Sequence, residues 1–317
     1  MSRDFDLITM GRVSVDIYPE QTGVPLEDVT SFGKFLGGSA TNVAVAAARL
    51  GRRAAVVTRT GADPFGRYIH RALRDFGVDD RWVREVPHLP TPVVFCEIFP
   101  PDDFPLYFYR FPKAPDLEIG PDELDLDAIR RARVFWVTGT GLSRSPSREA
   151  TLAALEARGR SGITVLDLDY RPMFWSSPIA AARHIAAALP YVTVAVGNLQ
   201  ECRVAVGEAT PEGAVRALHD AGVDLAVVKQ GPGGVLGSRL STAERALVPA
   251  VPVTVVNGLG AGDAFGGALA HGLIAGHDLT TTLTLANAAG SYVAGQLACA
   301  DAMPDLGQLT GYLEAAR

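Results

Sequence analysis

Short apolar runs separated by stretches of helical periodicity set the tightest limit on how this chain can fold. Phe5–Met10, Ala54–Arg59, Arg133–Thr138, Ile163–Leu168, Val192–Val196 and Leu225–Val228 are nearly all apolar. A strand with apolar residues on both faces needs cover on both faces, and intervening helices bring the chain back to the same edge of the sheet. The helices carry their own punctuation. Asn42–Leu50 is a run of small residues stopped by Gly51. Asp63 caps a helix with Pro64 at its first position, and Gly77 ends it. Ser145-Pro146 opens another, closed by Gly159. The pattern predicts an α/β fold, a mostly parallel central sheet flanked by helices. No long linker and no repeat divides residues 1–317, so one domain is expected.

Two early segments break the rhythm. Residues 13–35 hold short extended pieces with turn residues. Residues 91–111 read as a hairpin, Val93–Phe99 and Leu106–Phe111 around Pro100-Pro101-Asp102-Asp103. Both mix aromatic with polar residues. They are expected to form a small antiparallel β lid beside the main sheet; the alternative is a solvent-facing hairpin without a role.

The bulk numbers exclude several classes. At 317 residues, 48% hydrophobic and 20% charged, the chain has room for one large domain with an appendage. A net charge of −6 argues against a nucleic-acid or membrane-surface partner. It leaves an anionic small substrate open, because a few local arginines override the global sign. Met1-Ser2-Arg3-Asp4-Phe5-Asp6 lacks the apolar core of a signal peptide. The Ala-rich stretch near the C-terminus is interrupted by Asn287, Ser291, Tyr292 and Gln296, so no run is long enough to cross a bilayer. Cys96, Cys202 and Cys299, odd in number and widely spaced, fit free thiols in a reducing cytoplasm. The histidines form neither HxH nor HExxH, which argues against a dedicated transition-metal site.

Chemistry concentrates at Asn257-Gly258-Leu259-Gly260-Ala261-Gly262-Asp263-Ala264-Phe265. A glycine loop opening a helix aims several backbone N–H groups at one point, and the helix dipole adds about half a positive charge there. Such a point suits an anion that gains charge during reaction. A carboxylate beside it adds nothing to anion binding but can take a proton from a hydroxyl. Anion cradle plus base suggests phosphoryl transfer to an alcohol. The competing reading makes Asp263 only a helix cap. Leu36-Gly37-Gly38-Ser39-Ala40-Thr41-Asn42 is a second glycine-rich element, where a ligand can approach the backbone. Asn42 either caps the helix that follows, which is favoured on its own, or bonds a substrate hydroxyl. No G-x-x-x-x-G-K-[ST] and no G-x-G-x-x-G occurs, so a nucleotide would be held in another way.

Taken together and in this order, Gly37–Asn42 and Gly258–Phe265 resemble the ribokinase, or PfkB, family of carbohydrate kinases, over essentially the whole chain. The resemblance implies a ribokinase-like fold and ATP-dependent phosphorylation of a sugar hydroxyl, with Mg²⁺. By position it implies Asp263 as base and Gly260, Ala261 and Gly262 as the anion hole. Asp16, in Gly11-Arg12-Val13-Ser14-Val15-Asp16, matches the acid that holds sugar hydroxyls, and Gly37, Gly38 and Asn42 match the sugar-binding loop. Asn198 and Glu201 match an N-x-x-E motif linked, indirectly, to Mg²⁺ and phosphate. Lys229, Gly231 and Gly234 match a strand and turn bordering ATP, and Asn287 falls in the adenine pocket. One departure stands out. Asn257-Gly258 replaces the usual Asp-Thr, which puts a monovalent-cation site in doubt.

Two arginines bear on the substrate. Arg110 ends Pro105-Leu106-Tyr107-Phe108-Tyr109-Arg110, and Arg171 lies in Asp167-Leu168-Asp169-Tyr170-Arg171-Pro172, just past a strand end. A guanidinium grips a carboxylate through two parallel hydrogen bonds, which a neutral sugar does not need. Surface ion pairing, or contact of Arg171 with ATP phosphates, is the alternative. Both segments look like those of family members acting on keto-deoxy sugar acids. Gly11–Gly23, Leu26-Glu27-Asp28-Val29 and Ser31-Phe32 narrow the implied substrate to 5-dehydro-2-deoxy-D-gluconate, phosphorylated at its 6-hydroxyl. The 2-dehydro-3-deoxy isomer, a neutral sugar, a nucleoside, or a non-catalytic sugar-binding role on the same fold are the alternatives. Lid aromatics such as Phe95, Phe99 and Phe108 are expected to pair two copies into a homodimer if exposed.

Overall fold

In the computed structural model, residues 4–316 are described; Met1–Arg3, part of the polar N-terminal stretch, and Arg317 lie outside the described residues. The chain begins with β1 (Leu7–Met10), β2 (Ser14–Pro19), β3 (Phe32–Gly37), α1 (Ser39–Arg49), β4 (Ala54–Gly61), α2 (Pro64–Asp75), β5 (Val78–Asp79) and β6 (Val83–Val86). It continues through β7 (Val93–Cys96), β8 (Leu106–Tyr109), α3 (Leu126–Arg131), β9 (Val134–Thr138), α4 (Ser147–Arg158), β10 (Ile163–Asp167), α5 (Pro178–Ala188) and β11 (Val194–Asn198). Next come α6 (Leu199–Val206), α7 (Pro211–Asp220), β12 (Leu225–Lys229), β13 (Val235–Arg239), β14 (Glu244–Val248), α8 (Ala261–Ala275), α9 (Leu279–Ala294) and α10 (Leu306–Ala315).

The large sheet has the order β14-β13-β12-β11-β10-β9-β1-β4-β5, with β6 also pairing β4. From β12 to β5 every pairing is parallel, and β13 and β14 add an antiparallel edge. Alternation along each strand divides the core in two. Leu7, Val134, Trp136, Val165, Val194 and Val227 face α1, α8 and α9, whereas Ile8, Phe135, Val137, Leu166, Ala195 and Val228 face α3 to α7. This is the doubly covered sheet that the apolar runs predict. Helix punctuation holds as well: Asp63 accepts from the Gly66 N–H ahead of α2, and Gly159 closes α4 in the left-handed region at φ 58°.

The smaller sheet has the order β3-β2-β7-β8 and is built from the two segments that broke the rhythm. It is mixed rather than antiparallel. β2 pairs β3, and β7 pairs β8, antiparallel, but β2 and β7 run parallel, Val15 opposite Val93 and Ile17 opposite Phe95. The reason is topological. Between β2 and β7 the chain crosses the main sheet through α1, β4 and α2, and a crossover of that length permits parallel pairing. The expected hairpin is also shorter, because Pro100, Pro101 and Pro105 carry no N–H for a ladder; beyond Cys96 the arms are joined by the Glu97 N–H to the Pro105 carbonyl and by a Phe99–Asp103 bridge.

Close packing of α1 on α8 sets the position of the site. A Cβ on Gly267 would lie 2.3 Å from Ala46 Cβ, and one on Gly266 would lie 2.9 Å from the Trp136 ring. Glycines on α8 and alanines on α1 therefore let the two backbones approach, so that both helix N-termini open at the same end of the sheet. The C-terminal ends of β1, β9, β10, β11 and β12 lie at that end too, with Asp167 opposite Thr138 and Asn198 opposite Lys229. Ligands bind at such ends in parallel α/β sheets.

Candidate active site

α8 begins at Gly260, which holds φ +80° and offers no capping side chain. A Cβ there would sit 2.7 Å from Cys299 Sγ, so glycine is required on two counts. The first helical bond runs from the Ala264 N–H to the Gly260 carbonyl at 2.9 Å. The N–H groups of Ala261, Gly262 and Asp263 thus have no acceptor within the helix and point out of its positive end.

The Asp263 carboxylate does not cap its own helix. Oδ1 accepts from Ser39 Oγ at 3.0 Å, and Oδ2 accepts from Asn42 Nδ2 at 2.8 Å. Asn42 is not a cap either. Gly38, at φ +101°, starts α1 three residues earlier than the sequence suggested, and the Asn42 N–H already bonds the Gly38 carbonyl at 2.8 Å. Its side chain is free to orient the acid, and its Oδ1 is a buried acceptor with no partner. Burial raises the Asp263 carboxyl above the ordinary range, while the Asn42 bond and the Arg12 charge partly oppose this. A carboxylate with raised basicity beside three unpaired amides is suited to accept a hydroxyl proton where negative charge collects.

Asp16 closes the opposite wall. Its Oδ1 accepts from Ser14 Oγ at 2.7 Å and its Oδ2 from Tyr18 OH at 2.8 Å. Burial raises its carboxyl, with both bonds opposing. A Cβ on Gly37 would fall 2.0 Å from Asp16 Oδ1, so Gly37 makes room for the acid; one on Gly38 would fall 2.5 Å from the Arg12 carbonyl, so Gly38 lets the loop after β1 approach. Asp16, Gly38, Asn42, Arg171, Gly260 and Asp263 line one cleft, together with Arg12, Tyr18, Ser39, Phe108 and Cys299.

The two sequence-selected arginines part company. Arg171 lines the cleft, and its NH2 lies 3.3 Å from Asp169 Oδ1. Arg110 does not line it. Its NH2 donates to both oxygens of buried Asp116, at 2.6 and 3.0 Å, and its guanidinium lies over the Phe174 ring at 5.1 Å. Phe108 turns inward, 4.9 Å from Phe174, because its neighbours Tyr107 and Tyr109 take the outward positions of β8.

The residues expected to border ATP do not line this cleft; they lie on β11, α6, β12 with the turn after it, and α9. Asn198 and Glu201 form a reciprocal capping box on α6: the Asn198 N–H donates to Glu201 Oε2 at 2.7 Å and the Glu201 N–H to Asn198 Oδ1 at 2.9 Å. Lys229, at the end of β12, stands 3.3 Å from where a Gly262 Cβ would be, beside the α8 amides. Burial would lower its ammonium, but Asp167, Glu201 and Asp263 together raise it. Burial and the neighbouring acids Glu201, Asp169 and Asp263 raise Asp167, against Lys229. Gly231 and Gly234 shape the turn after β12, both at positive φ, and a Cβ on Gly234 would strike the Val248 carbonyl at 2.1 Å. Asn287 Nδ2 donates to the Val248 and Pro249 carbonyls at 3.2 and 3.0 Å, tying α9 to the strand bordering that turn. Asn257 is fully buried and committed at both ends: Nδ2 donates to the Leu297 carbonyl at 2.7 Å, and Oδ1 accepts the Leu259 N–H at 3.0 Å.

A family model described as pfkB family carbohydrate kinase matches residues 4–306. The chain belongs to the PfkB family of carbohydrate kinases. As a member it is a phosphotransferase acting on a sugar hydroxyl. Among curated relatives it is 32% identical to a 5-dehydro-2-deoxygluconokinase of Geobacillus kaustophilus, over 98% of this chain and 94% of the relative. It is 31% identical to 5-dehydro-2-deoxygluconokinase 1 of Bacillus cereus, over 99% and 96%. Among solved structures, a PfkB protein from Polaromonas superposes with a TM-score of 0.83 at 26% identity, covering 94% of this chain and 98% of that one. A Vibrio cholerae fructokinase with fructose, ADP and potassium ion bound has a TM-score of 0.85 at 25% identity, covering 99% and 100%.

In this PfkB kinase, sequence reasoning missed Arg12, Ser39, Tyr18 and Asp169. The signals were present: Ser39 lies inside the glycine-rich loop, and Arg12 is a charge in an otherwise apolar strand-to-strand connection. Among the described residues, no cluster of three or more His, Cys, Asp or Glu could hold a metal by itself. No helix among them is long and apolar enough to cross a membrane.

Proposed function

We propose that the protein transfers the γ-phosphoryl group of ATP to the 6-hydroxyl of 5-dehydro-2-deoxy-D-gluconate. The observation that carries this reading is the Asp263 carboxylate, held from α1 beside three unpaired α8 amides. Asp16 and the Asn42 side chain hold hydroxyls, the lid covers the sugar, and Asp263 takes the proton of the hydroxyl as it attacks. Ala261, Gly262 and Lys229 face the charge that develops. The residues suit Mg²⁺ carried on nucleotide phosphates rather than a protein cage, because Mg²⁺ keeps waters and needs few carboxylates. Glu201 and Lys229 would flank it, and the ion would neutralise charge on the transferring group. Asn257, neutral and bonded at both ends, supports a reaction without a monovalent-cation requirement.

The substrate assignment draws on the two curated relatives and on cationic groups at the cleft. A coupled ADP-release assay with Mg·ATP tests it on 5-dehydro-2-deoxygluconate, 2-dehydro-3-deoxygluconate, fructose, ribose and adenosine. Selective turnover of the first is expected. Preference for the second would keep a sugar-acid kinase and move the carbonyl; preference for a neutral sugar would remove the acid. The buried free thiols fit a cytoplasmic enzyme. The outer lid face, with Tyr109 62% and Phe111 80% exposed, suits a second copy of the chain.

A further inference from the structure

Arg12 was given no role by sequence, yet it is the arginine with the most to offer the cleft. Its Nε lies 3.5 Å from Asp169 Oδ2, and its guanidinium stands 5.9 Å from the Phe108 ring. Its two terminal nitrogens donate to no acceptor among the described residues, although the side chain is only 10% exposed and lines the cleft between Asp16 and Asp263. Arg110 does not line the cleft; its NH2 is held by Asp116, and its NH1 is buried without a partner.

Asp169 holds Arg12 and Arg171 side by side. One oxygen faces Arg12 and accepts from Thr140 Oγ1 at 2.9 Å, and the other faces Arg171. Its backbone is held at φ +27°, a region that side-chain-bearing residues rarely adopt. One carboxylate is shared by two guanidinium groups, and the Asp16 and Asp263 charges also act on Arg12 without a hydrogen bond to it, so its terminal nitrogens keep their donors open to the cleft. Arg171 Nε is buried there without a partner as well. We propose that Arg12, clamped by Asp169 beside Arg171, is the specificity residue that receives the substrate carboxylate through its free terminal fork. This rests on the sugar-acid reading above. It also moves the acid-binding role from Arg110 or Arg171 to the loop after β1.

The test is the ratio of kcat/KM for 5-dehydro-2-deoxygluconate to kcat/KM for fructose, in wild type, Arg12→Gln and Arg12→Lys. Loss of a charge-assisted fork should lower the ratio about 10- to 100-fold in Arg12→Gln. Arg12→Lys should recover only part of it, because an ammonium supplies a point charge and no fork. If both rates fall together and the ratio holds, Arg12 merely supports Asp169 and the proposal is overturned. If Arg12→Lys equals wild type, the fork is overturned. Should Arg12→Gln not fold by circular dichroism, Arg12→Lys decides alone, with acid binding measured by calorimetry. A wild type that uses fructose but no sugar acid would refute the substrate reading itself, and the carboxylate site with it. That result is visible before any variant is made.

Discussion

Asp263 and Asn42 show how one residue's chemistry is set by another element. Asp263 is buried, which raises its carboxyl, and the Asn42 amide stabilises the ionised form, which lowers it. A base must be ionised to work, so kcat/KM should fall as pH drops through this raised value and level off above it. Removing the amide in Asn42→Ala takes away a bond to the charged form, so the acid limb should move to higher pH. A pH profile of both proteins checks this; an unmoved limb in Asn42→Ala would mean that another group sets it. Asp263 was legible from its glycine-rich frame, and Asp16 from the family resemblance alone. Their partners were not. Ser39 and Asn42 reach Asp263 across more than 220 positions of chain, a contact that only the packing of α1 on α8 creates.

Among the elements, α6 poses the clearest question. Asn198 and Glu201 match a motif linked to Mg²⁺, yet in the fold they are a capping box. The two roles separate experimentally. Glu201→Ala should cost about 0.5–1.5 kcal/mol by removing the acceptor of the Asn198 N–H, lowering the thermal midpoint. Glu201→Gln keeps the box, since glutamine closes it equally well, and should hold the midpoint. If the charge also serves the metal, Glu201→Gln should raise the Mg²⁺ concentration for half-maximal rate several-fold. An unchanged Mg²⁺ dependence would leave the motif a helix cap. The box could have been read from Asn-x-x-Glu alone; the resemblance drew attention to the metal instead. The β2–β7 parallel pairing could not have been read, because local alternation says that a strand exists and nothing about the direction of a partner 78 positions away.

At the scale of the whole molecule, the main sheet was legible because its strands are apolar on both faces, and that property is written residue by residue in Val134–Thr138 and its neighbours. The antiparallel edge was less so, since Glu244–Val248 alternates between buried and exposed positions and lacks a continuous apolar run. The lid's outer face was misread in detail: Phe108 points into the cleft, while Tyr107, Tyr109 and Phe111 face out. Phe95 stacks edge-on between Phe32 and Tyr109, so the outward face is a contiguous aromatic patch. Light scattering should give twice the 33.5 kDa chain mass, and a Tyr109→Ser, Phe111→Ser double variant should return the monomer; a monomeric wild type would rule out pairing through the lid.

The central claim is that Asp263 removes the proton while the α8 amides hold the charge. The most direct measurement is single-turnover phosphoryl transfer by Asp263→Asn, with sugar and nucleotide binding measured alongside. Loss of a general base should slow transfer by about 10²–10⁴-fold, with binding of both substrates within a few-fold of wild type. Transfer within tenfold of wild type would contradict the account.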